Sequence, residues 1–472
     1  MATQYARNDQ VRVHVYMSGV GTSDPDPLYV PNMGVAGLSQ DLGDITNVEV
    51  PDPDRYGEFK VVDGIPGQRG RATTTLTTRR KVGMPSALET IAKRQLVCDF
   101  HLNRGICAAP QDPASFSEKL ILEGVRATNY STSELSALSS DERSSTTDSA
   151  DISIDNWYVI YQMLYGLAAS PSENAGVPMG IVIAPTWCAE GALQCGVVFV
   201  ASEDNLHFVT GAGAVATNYA GGDISGIGAL GARIAVGRAG TGIDLVQYDG
   251  NGVTYTTTKA ISGLNTIESF YCNGRDGVLG SALTAVTFNS SVTTVNEADL
   301  TALAGAGATE LSDVHVDMAS EMYVAISDKG YVAYSEDGVS WMDGGNITLG
   351  ALQTGTAVAA VSKECWLAGS SEGKLFLSSD RGATWTEVLD TTGAVNDILV
   401  ASKHVIYAAI GSTLWRSTDG GASWNAEPNV QGRSFVSVTS VNRLAICPDD
   451  INEVRMAGVA GGNLRMITGT PG

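Results

Sequence analysis

Positive charge is in short supply in this chain. Lysine and arginine together number 29 against 51 aspartates and glutamates in 472 residues, a formal net charge of −22. Before residue 165, 15 bases face 21 acids, and after it 14 face 30. Neither part has the basic excess that a phosphate-neutralising grip on nucleic acid requires. Cysteine is sparse too: the seven, at 98, 107, 188, 195, 272, 365 and 447, form no C-x-x-C pair and leave one over. That pattern points to buried thiols in a reducing compartment, with Cys98 and Cys107 read as free although close enough in sequence to bridge. No run approaches 18 consecutive apolar residues and the opening residues have no apolar signal core, so a cytosolic product without a membrane span is expected.

Catalytic and metal motifs are missing as well. The five histidines (14, 101, 207, 315, 404) stand far apart, and no H-E-x-x-H, G-x-S-x-G or P-loop occurs. His101 reads as a strand histidine, since no second ligand stands at a suitable spacing. Gly226-Ile-Gly-Ala-Leu-Gly231 is a literal G-x-G-x-x-G, yet Ala232-Arg-Ile-Ala-Val236 follows it as a strand where a dinucleotide site needs a helix. Tight glycine packing between strands is the expectation. The close aspartates at Ser23-Asp-Pro-Asp-Pro27 and Pro51-Asp-Pro-Asp54 lack the ligand spacing of a calcium loop and read as solvated loop. No catalytic residue, cofactor or metal is expected.

What the chain does have is glycine, 54 residues of it, with abundant aliphatic strand formers. An all-β protein with many turns follows. Between Tyr331 and Trp424 one pattern occurs three times: Ser335-Glu336-Asp337-Gly338-Val339-Ser340-Trp341, Ser378-Ser379-Asp380-Arg381-Gly382-Ala383-Thr384-Trp385 and Ser417-Thr418-Asp419-Gly420-Gly421-Ala422-Ser423-Trp424. The aspartates are 43 and 39 residues apart, a period that signals repeated supersecondary units. Each copy follows a short alternating run, so it occupies a turn leaving a strand. There the Asp carboxylate accepts from turn N–H groups, Gly permits positive φ, and Ser or Thr adds a second local bond. Trp starts the next strand and wedges against a neighbouring sheet.

These residues resemble the Asp box, S-x-D-x-G-x-[ST]-W, found between the third and fourth strands of certain β-propeller blades. The last two copies match it fully; the first lacks one residue. Extended backwards, the series includes Ser202-Glu-Asp-Asn-Leu-His-Phe208, Asp249-Gly-Asn-Gly-Val-Thr-Tyr255 and a remnant at Phe288-Asn289, giving six units. A ring must close to remove its open sheet edges. Seven blades are therefore predicted for residues 181–472, with six or eight as neighbouring counts. The last blade is drawn from the chain-end strands and completed by one from near residue 180.

Residues 1–165 differ in texture. Val11–Tyr16, Gly57–Val62 and Arg71–Thr78 read as strands, Pro85 to Arg94 as a helix with a Ser86/Glu89 capping box, and Leu96–His101 as a further strand. Lys119–Leu122 and Gly124–Asn129 are two more strand candidates. The segment from 20 to 55 reads as polar loop, and 131–150 as flexible loop from its Ser, Thr and Asp content. Gly166 to Gly180 reads as a linker. A helix covering a β-sandwich or barrel is the expected build.

This region is similar to the tail-tube (major tail) proteins of long-tailed bacteriophages. The resemblance lies in Leu42-Gly-Asp-Ile-Thr-Asn-Val-Glu-Val-Pro51, Gly64-Ile-Pro-Gly67, the helix from Pro85, and Cys98-Asp-Phe-His-Leu-Asn-Arg-Gly-Ile-Cys107 leading to Pro113-Ala-Ser-Phe-Ser-Glu-Lys119. It implies a protomer that joins copies of itself into hexameric rings stacked as a tube, in a virion tail assembled in the host cytoplasm. Its partners would be other tail proteins and DNA sliding through an acidic lumen. A plain tube protein would end near residue 165; here some 300 residues follow, an outward propeller that weakly binds host-surface glycans being the expectation. Sialidases, the best known Asp-box enzymes, need an arginine cluster, whereas this propeller region has nine scattered arginines, with Arg381 and Arg416 expected in solvent at blade edges. A propeller glycoside hydrolase and a phage fibre or capsid decoration are the alternatives.

Overall fold

The computed structural model describes residues 12–17, 35–41, 48–51, 59–62, 72–79, 87–104, 118–134, 146–161, 163–167, 177–183, 198–209, 215–220, 223–231, 233–240, 242–248, 253–259, 266–317, 322–350, 352–427, 440–447, 450–460 and 463–471. The chain divides into two compact units, Met1–Gln162 and Met163–Gly472.

The first unit holds β1 (Arg12–Met17), β2 (Val35–Asp41), β3 (Val48–Pro51), β4 (Phe59–Val62), β5 (Ala72–Arg79), α1 (Ala87–Arg94), β6 (Cys98–Arg104), β7 (Glu118–Glu134), β8 (Thr146–Ile154) and β9 (Asn156–Tyr161). Its main sheet runs β1-β6-β7-β8-β5-β2, with β9 also paired to β7 and β3 to β4 in a separate ribbon. Helix α1 presents Leu88 and Ile91 to a core of Leu76, Phe100, Leu120, Leu122, Ala150 and Ile152, as its apolar spacing requires. The capping serine, Ser86, lies outside the described residues. Cys98 is buried and in no disulfide, its thiol pushed up to about 11 by burial and then by the Asp99 carboxylate, which disfavours the thiolate. Cys107 also falls outside the described residues.

Three expectations need correction. The two strand candidates at 119–129 are one strand, β7, bent at Gly124 (φ +64°), where an added Cβ would stand 2.3 Å from the Asp155 carboxylate. The Ser/Thr-rich segment is not wholly loop: Ser131 continues β7 opposite Ser149 of β8. Threonine and serine suit a ribbon whose ladder is completed by its partner, so polarity there signalled exposure, not irregularity. The polar stretch 20–55 likewise contains β2 and β3, and β2 pairs along β5.

The second unit opens with β10 (Met163–Leu167). Blade 1 is β11 (Gly180–Ile183), β12 (Val198–Ala201), β13 (Asn205–Val209) and β14 (Val215–Ala220); blade 2 is β15 (Ile224–Leu230), β16 (Arg233–Arg238), β17 (Gly242–Tyr248) and β18 (Val253–Lys259). Blade 3 is β19 (Ser269–Gly274), β20 (Asp276–Ser281), β21 (Thr284–Asn289) and β22 (Val295–Asp299); blade 4 is β23 (Leu311–Val316), β24 (Tyr323–Ser327), β25 (Tyr331–Ser335) and β26 (Trp341–Asn346). Blade 5 is β27 (Gly355–Ala360), β28 (Trp366–Ser370), β29 (Lys374–Ser378) and β30 (Thr386–Asp390); blade 6 is β31 (Val395–Val400), β32 (Ile406–Ile410), β33 (Thr413–Ser417) and β34 (Asn425–Ala426). Blade 7 is β35 (Ser440–Cys447), β36 (Asp450–Ala460) and β37 (Asn463–Pro471), with β10 as its outer strand.

The first strands of the blades, from β11 to β35, follow one another round an axis, and β35 returns to β11. This is a closed seven-bladed β-propeller, and the described residues are all-β apart from α1. The closing strand is β10, paired Met163↔Pro471 to Leu167↔Ile467, and the strand at residue 180 instead opens blade 1. Leu167 and Gly166 thus stand in a blade, inside the stretch that reads as linker from its composition.

Blades are glued face to face. One cluster joins Phe199 and Phe208 of blade 1 to Ile227, Ile234 and Val246 of blade 2; another joins Val324 and Val332 of blade 4 to Trp366, Ala368 and Phe376 of blade 5. Second strands, covered on both faces, read as unbroken apolar runs such as Ile406-Tyr-Ala-Ala-Ile410. The G-x-G-x-x-G stretch is inner strand β15, as expected from strand packing. An added Cβ at Gly226 would meet Phe270 at 2.6 Å, and one at Gly228 would meet Cys272 at 2.6 Å. These glycines let β15 lie directly against β19 of the next blade.

Candidate functional site: the repeated turns and the axial cavity

All three serine–aspartate turns link the third and fourth strands of their blades, 4, 5 and 6. Ser335, Ser378 and Ser417 are buried, and each donates its hydroxyl to the following aspartate, at 3.0, 2.9 and 2.7 Å. Each serine Oγ also accepts the N–H of the turn glycine: Gly338 at 2.9 Å, Gly382 at 2.8 Å and Gly421 at 2.8 Å. Those glycines take φ of +70°, +81° and +94°. Asp337 Oδ1 accepts from Ser340 N at 2.7 Å and Val339 N at 2.8 Å, which holds its carboxyl down at about 2. Partial burial works against the charge of Asp380, but bonds from Thr384 and Ser378 outweigh it and keep the carboxyl below its usual range. Asp419 accepts from Ser423 N at 2.9 Å and from the Ser423 hydroxyl.

Every turn leans on the preceding blade. Thr287 Oγ1 of blade 3 donates to Gly338 O at 2.8 Å, and Trp385 Nε1 donates to Gly344 O of blade 4 at 3.1 Å. Gly421 packs on Leu367 of blade 5. Trp341, Trp385 and Trp424 join the clusters between blades 3 and 4, 4 and 5, and 5 and 6 respectively. Glu336 of one turn holds both Lys363 and Arg381 of blade 5, at 2.6 and 2.9 Å. The aspartates therefore shape turns and do not converge on a shared site. Trp385→Ala is expected to destabilise the propeller by roughly 3 kcal/mol, the low end for a large aromatic because the ring is only half-buried. An unchanged urea midpoint would remove the wedge role.

Two sequence readings of the turns require revision. Ser202–Phe208 joins β12 to β13, the second to the third strand, so its match to Ser335–Trp341 is out of phase with the repeat. The remnant at Asn289 sits in the proper turn, where its Oδ1 accepts from Thr293 N at 2.9 Å and Thr294 N at 3.3 Å, as an aspartate would. Arg416 is not at a solvent edge: it is 4% exposed, 3.6 Å from Glu427 and over the Tyr407 ring at 5.4 Å.

The residues that converge lie elsewhere, around a cavity of about 590 Å³ on the propeller axis lined by all seven inner strands. Asp313 of β23 accepts from Val358 N of β27 at 2.8 Å, and Asp397 of β31 accepts from Leu444 N of β35 at 2.8 Å. Arg443 of β35 donates through Nη1 to Asn396 O at 2.8 Å and through Nε to Met179 O at 3.4 Å. Each charged side chain thus ties its inner strand to a neighbour. Burial drives Asp313 up to about 7 against the Val358 bond, with the Asp397 carboxylate adding to the rise. Burial also raises Asp397, opposed by Arg443.

His315 lines the same cavity, with its ring 4.2 Å from Tyr271. Its Nδ1 accepts from Ala360 N at 3.3 Å, so Nε2 carries the proton, and Nε2 is buried with no partner. Burial pushes its pKa down to about 3, which keeps the ring neutral. Among the described residues no three His, Cys, Asp or Glu side chains form a metal-holding group.

Sequence reasoning missed these axial residues, although a signal was present. Leu311-Ser-Asp313, Val395-Asn-Asp397 and Val441-Asn-Arg443 share an apolar–polar–charged order, and in each the register shifts between first and third residue. That shared bulge turns the charged side chain out of the blade face.

Several solved structures are similar to part of this chain. YCF48 bound to a D1 peptide is 11% identical, with 66% of this chain and 98% of that one covered at a TM-score of 0.47. The RRP9 WD40 repeats are 10% identical over 64% and 99% at 0.46, and YCF48 from Cyanidioschyzon merolae is 11% identical over 65% and 98% at 0.46. No protein-family model matches the sequence, and no curated protein matches it either.

Proposed function

We propose that the protein is a structural component of a virion rather than an enzyme, a subunit of a phage tail tube whose first unit joins stacked hexameric rings and whose propeller is displayed outward. The observation behind this is an open sheet in the first unit, whose described part ends in β1 and β2, each paired along one side. A strand edge of that kind templates pairing with another copy. The resemblance of the first unit to tail-tube proteins points the same way, although residues 42–47, 63–71 and 105–117, which carry much of it, lie outside the described residues. The repeated turns, of Asp-box type by sequence, serve as braces that keep the displayed unit rigid.

In this reading the tube lumen is acidic, so DNA slides through without binding. Other tail proteins cap the tube, assembly takes place in the host cytoplasm, and the propellers bind host-surface glycans weakly, with many copies adding avidity. Negative-stain microscopy of the purified chain tests it directly. Stacked six-fold rings are the expected result. Trimers or spikes would indicate a fibre, and monomers that turn over glycans would overturn the assignment in favour of a hydrolase.

A further inference from the structure

We propose that residues 146–167 act as a strap through which the first unit holds the propeller shut: β9 seated on β7 presets β10 on β37, and release of β9 loosens blade 7. Three strands follow one another here with one residue between each, Asp155 between β8 and β9 and Gln162 between β9 and β10. β8 and β9 share the side of β7 that β6 leaves open, β8 from Arg126↔Ser153 to Glu134↔Thr146 and β9 from Glu118↔Tyr161 to Glu123↔Asn156. The run passes the bend at Gly124 through Asp155, whose N–H donates to Glu123 O at 2.9 Å and whose carboxylate accepts from Arg126 Nη1 at 2.9 and 3.0 Å. It then enters the second unit and pairs with β37 from Met163↔Pro471 to Leu167↔Ile467.

The junction has little slack. Ile160 is 0% exposed and Met163 1%, so a buried side chain anchors the chain on each side of Tyr161-Gln162. Two steps of extended chain reach about 7 Å, and the start of β10 stays within that distance of the end of β9. Among the described strands β10 has a single partner, β37, across five residue pairs. A five-residue edge strand frays readily on its own. With its first residue held by β9, much of the entropy of placing it is lost before it pairs. The coupling is reciprocal, so a seated β10 also steadies β9. It operates within one chain and does not depend on tube assembly.

Hydrogen exchange of the full chain tests the strap, followed at residues 463–471 of β37 and, as reference, at residues 366–370 of β28. Val159 packs half-buried from β9 against the core of the first unit, and Val159→Asp unseats that strand. Exchange at 463–471 is expected to quicken by about threefold or more, with the reference unchanged. A flexible insertion of about ten glycine and serine residues between Gln162 and Met163 alters no residue of β9 or β10 but slackens the strap, and the same rise is expected from it. In the double variant the two effects do not add, because either change alone already cuts the connection. Should Val159→Asp fail to fold, the insertion decides by itself. Unchanged exchange at 463–471 in the insertion variant, or effects that add in full, would overturn the proposal.

Discussion

Gly382→Ala is expected to lower propeller stability by roughly 3–5 kcal/mol, far more than glycine-to-alanine exchange usually costs. Gly382 has φ of +81°, and a Cβ there would lie 1.9 Å from the Gly344 carbonyl oxygen and 2.6 Å from its carbon. On the facing strand, a Cβ at Gly345 would lie 2.3 Å from Gly382 O. Both obstacles are backbone, so no rotamer change relieves the clash. The turn has to back away from blade 4, which removes the Trp385 bond to Gly344 O and the Arg381 ion pair with Glu336. Gly240→Ala is the matched control: φ is +69°, nothing lies within 4 Å of the new methyl, and only the left-handed strain of about 1 kcal/mol is expected. Urea unfolding of the two variants measures the difference. Equal midpoints would mean that the turn is not seated against its neighbour.

The second large effect depends on pH. Asp313 stands at about 7 in the folded chain against about 3.9 for an unperturbed aspartate, so the folded state holds its proton after the unfolded state has lost it. The stability from keeping this group neutral is fully present below about pH 4, declines as pH rises to about 7, and is absent above. The span amounts to something on the order of 2–4 kcal/mol, and the raised pKa of Asp397 adds in the same direction. In Asp313→Asn the amide oxygen still accepts from Val358 N, while the buried charge is gone. The variant should match the parent near pH 4 and exceed it at pH 8. Guanidinium midpoints at three pH values read this out, and a variant less stable than its parent at pH 8 would show that the Asp313 charge supports the axis.

The turns were legible because one short segment carries the whole device: serine, aspartate, glycine and tryptophan do their work within eight residues. The blade number followed from their spacing and from the need to close a ring. Where a single turn mimicked the pattern in the wrong place, as at Ser202, local sequence had no means of telling a second-to-third from a third-to-fourth connection. The axial cavity was harder to see, since Asp313, Asp397 and Arg443 belong to separate blades and meet only after closure. The end of β7 and the start of β8 illustrate the opposite failure, a paired ribbon whose Ser, Thr and Asp content reads as loop.

Blade 7 gives the propeller a timetable. Its outer strand, β10, is synthesised before every other part of the ring, yet its partner β37 is made last. On the ribosome the early strand must wait with one edge bare while six blades form in between, and the long loop it closes makes this the slowest contact to establish. Until β37 has emerged, β10 has no place in blade 7, and the pairing from Met163↔Pro471 to Leu167↔Ile467 is the clasp that fixes it there.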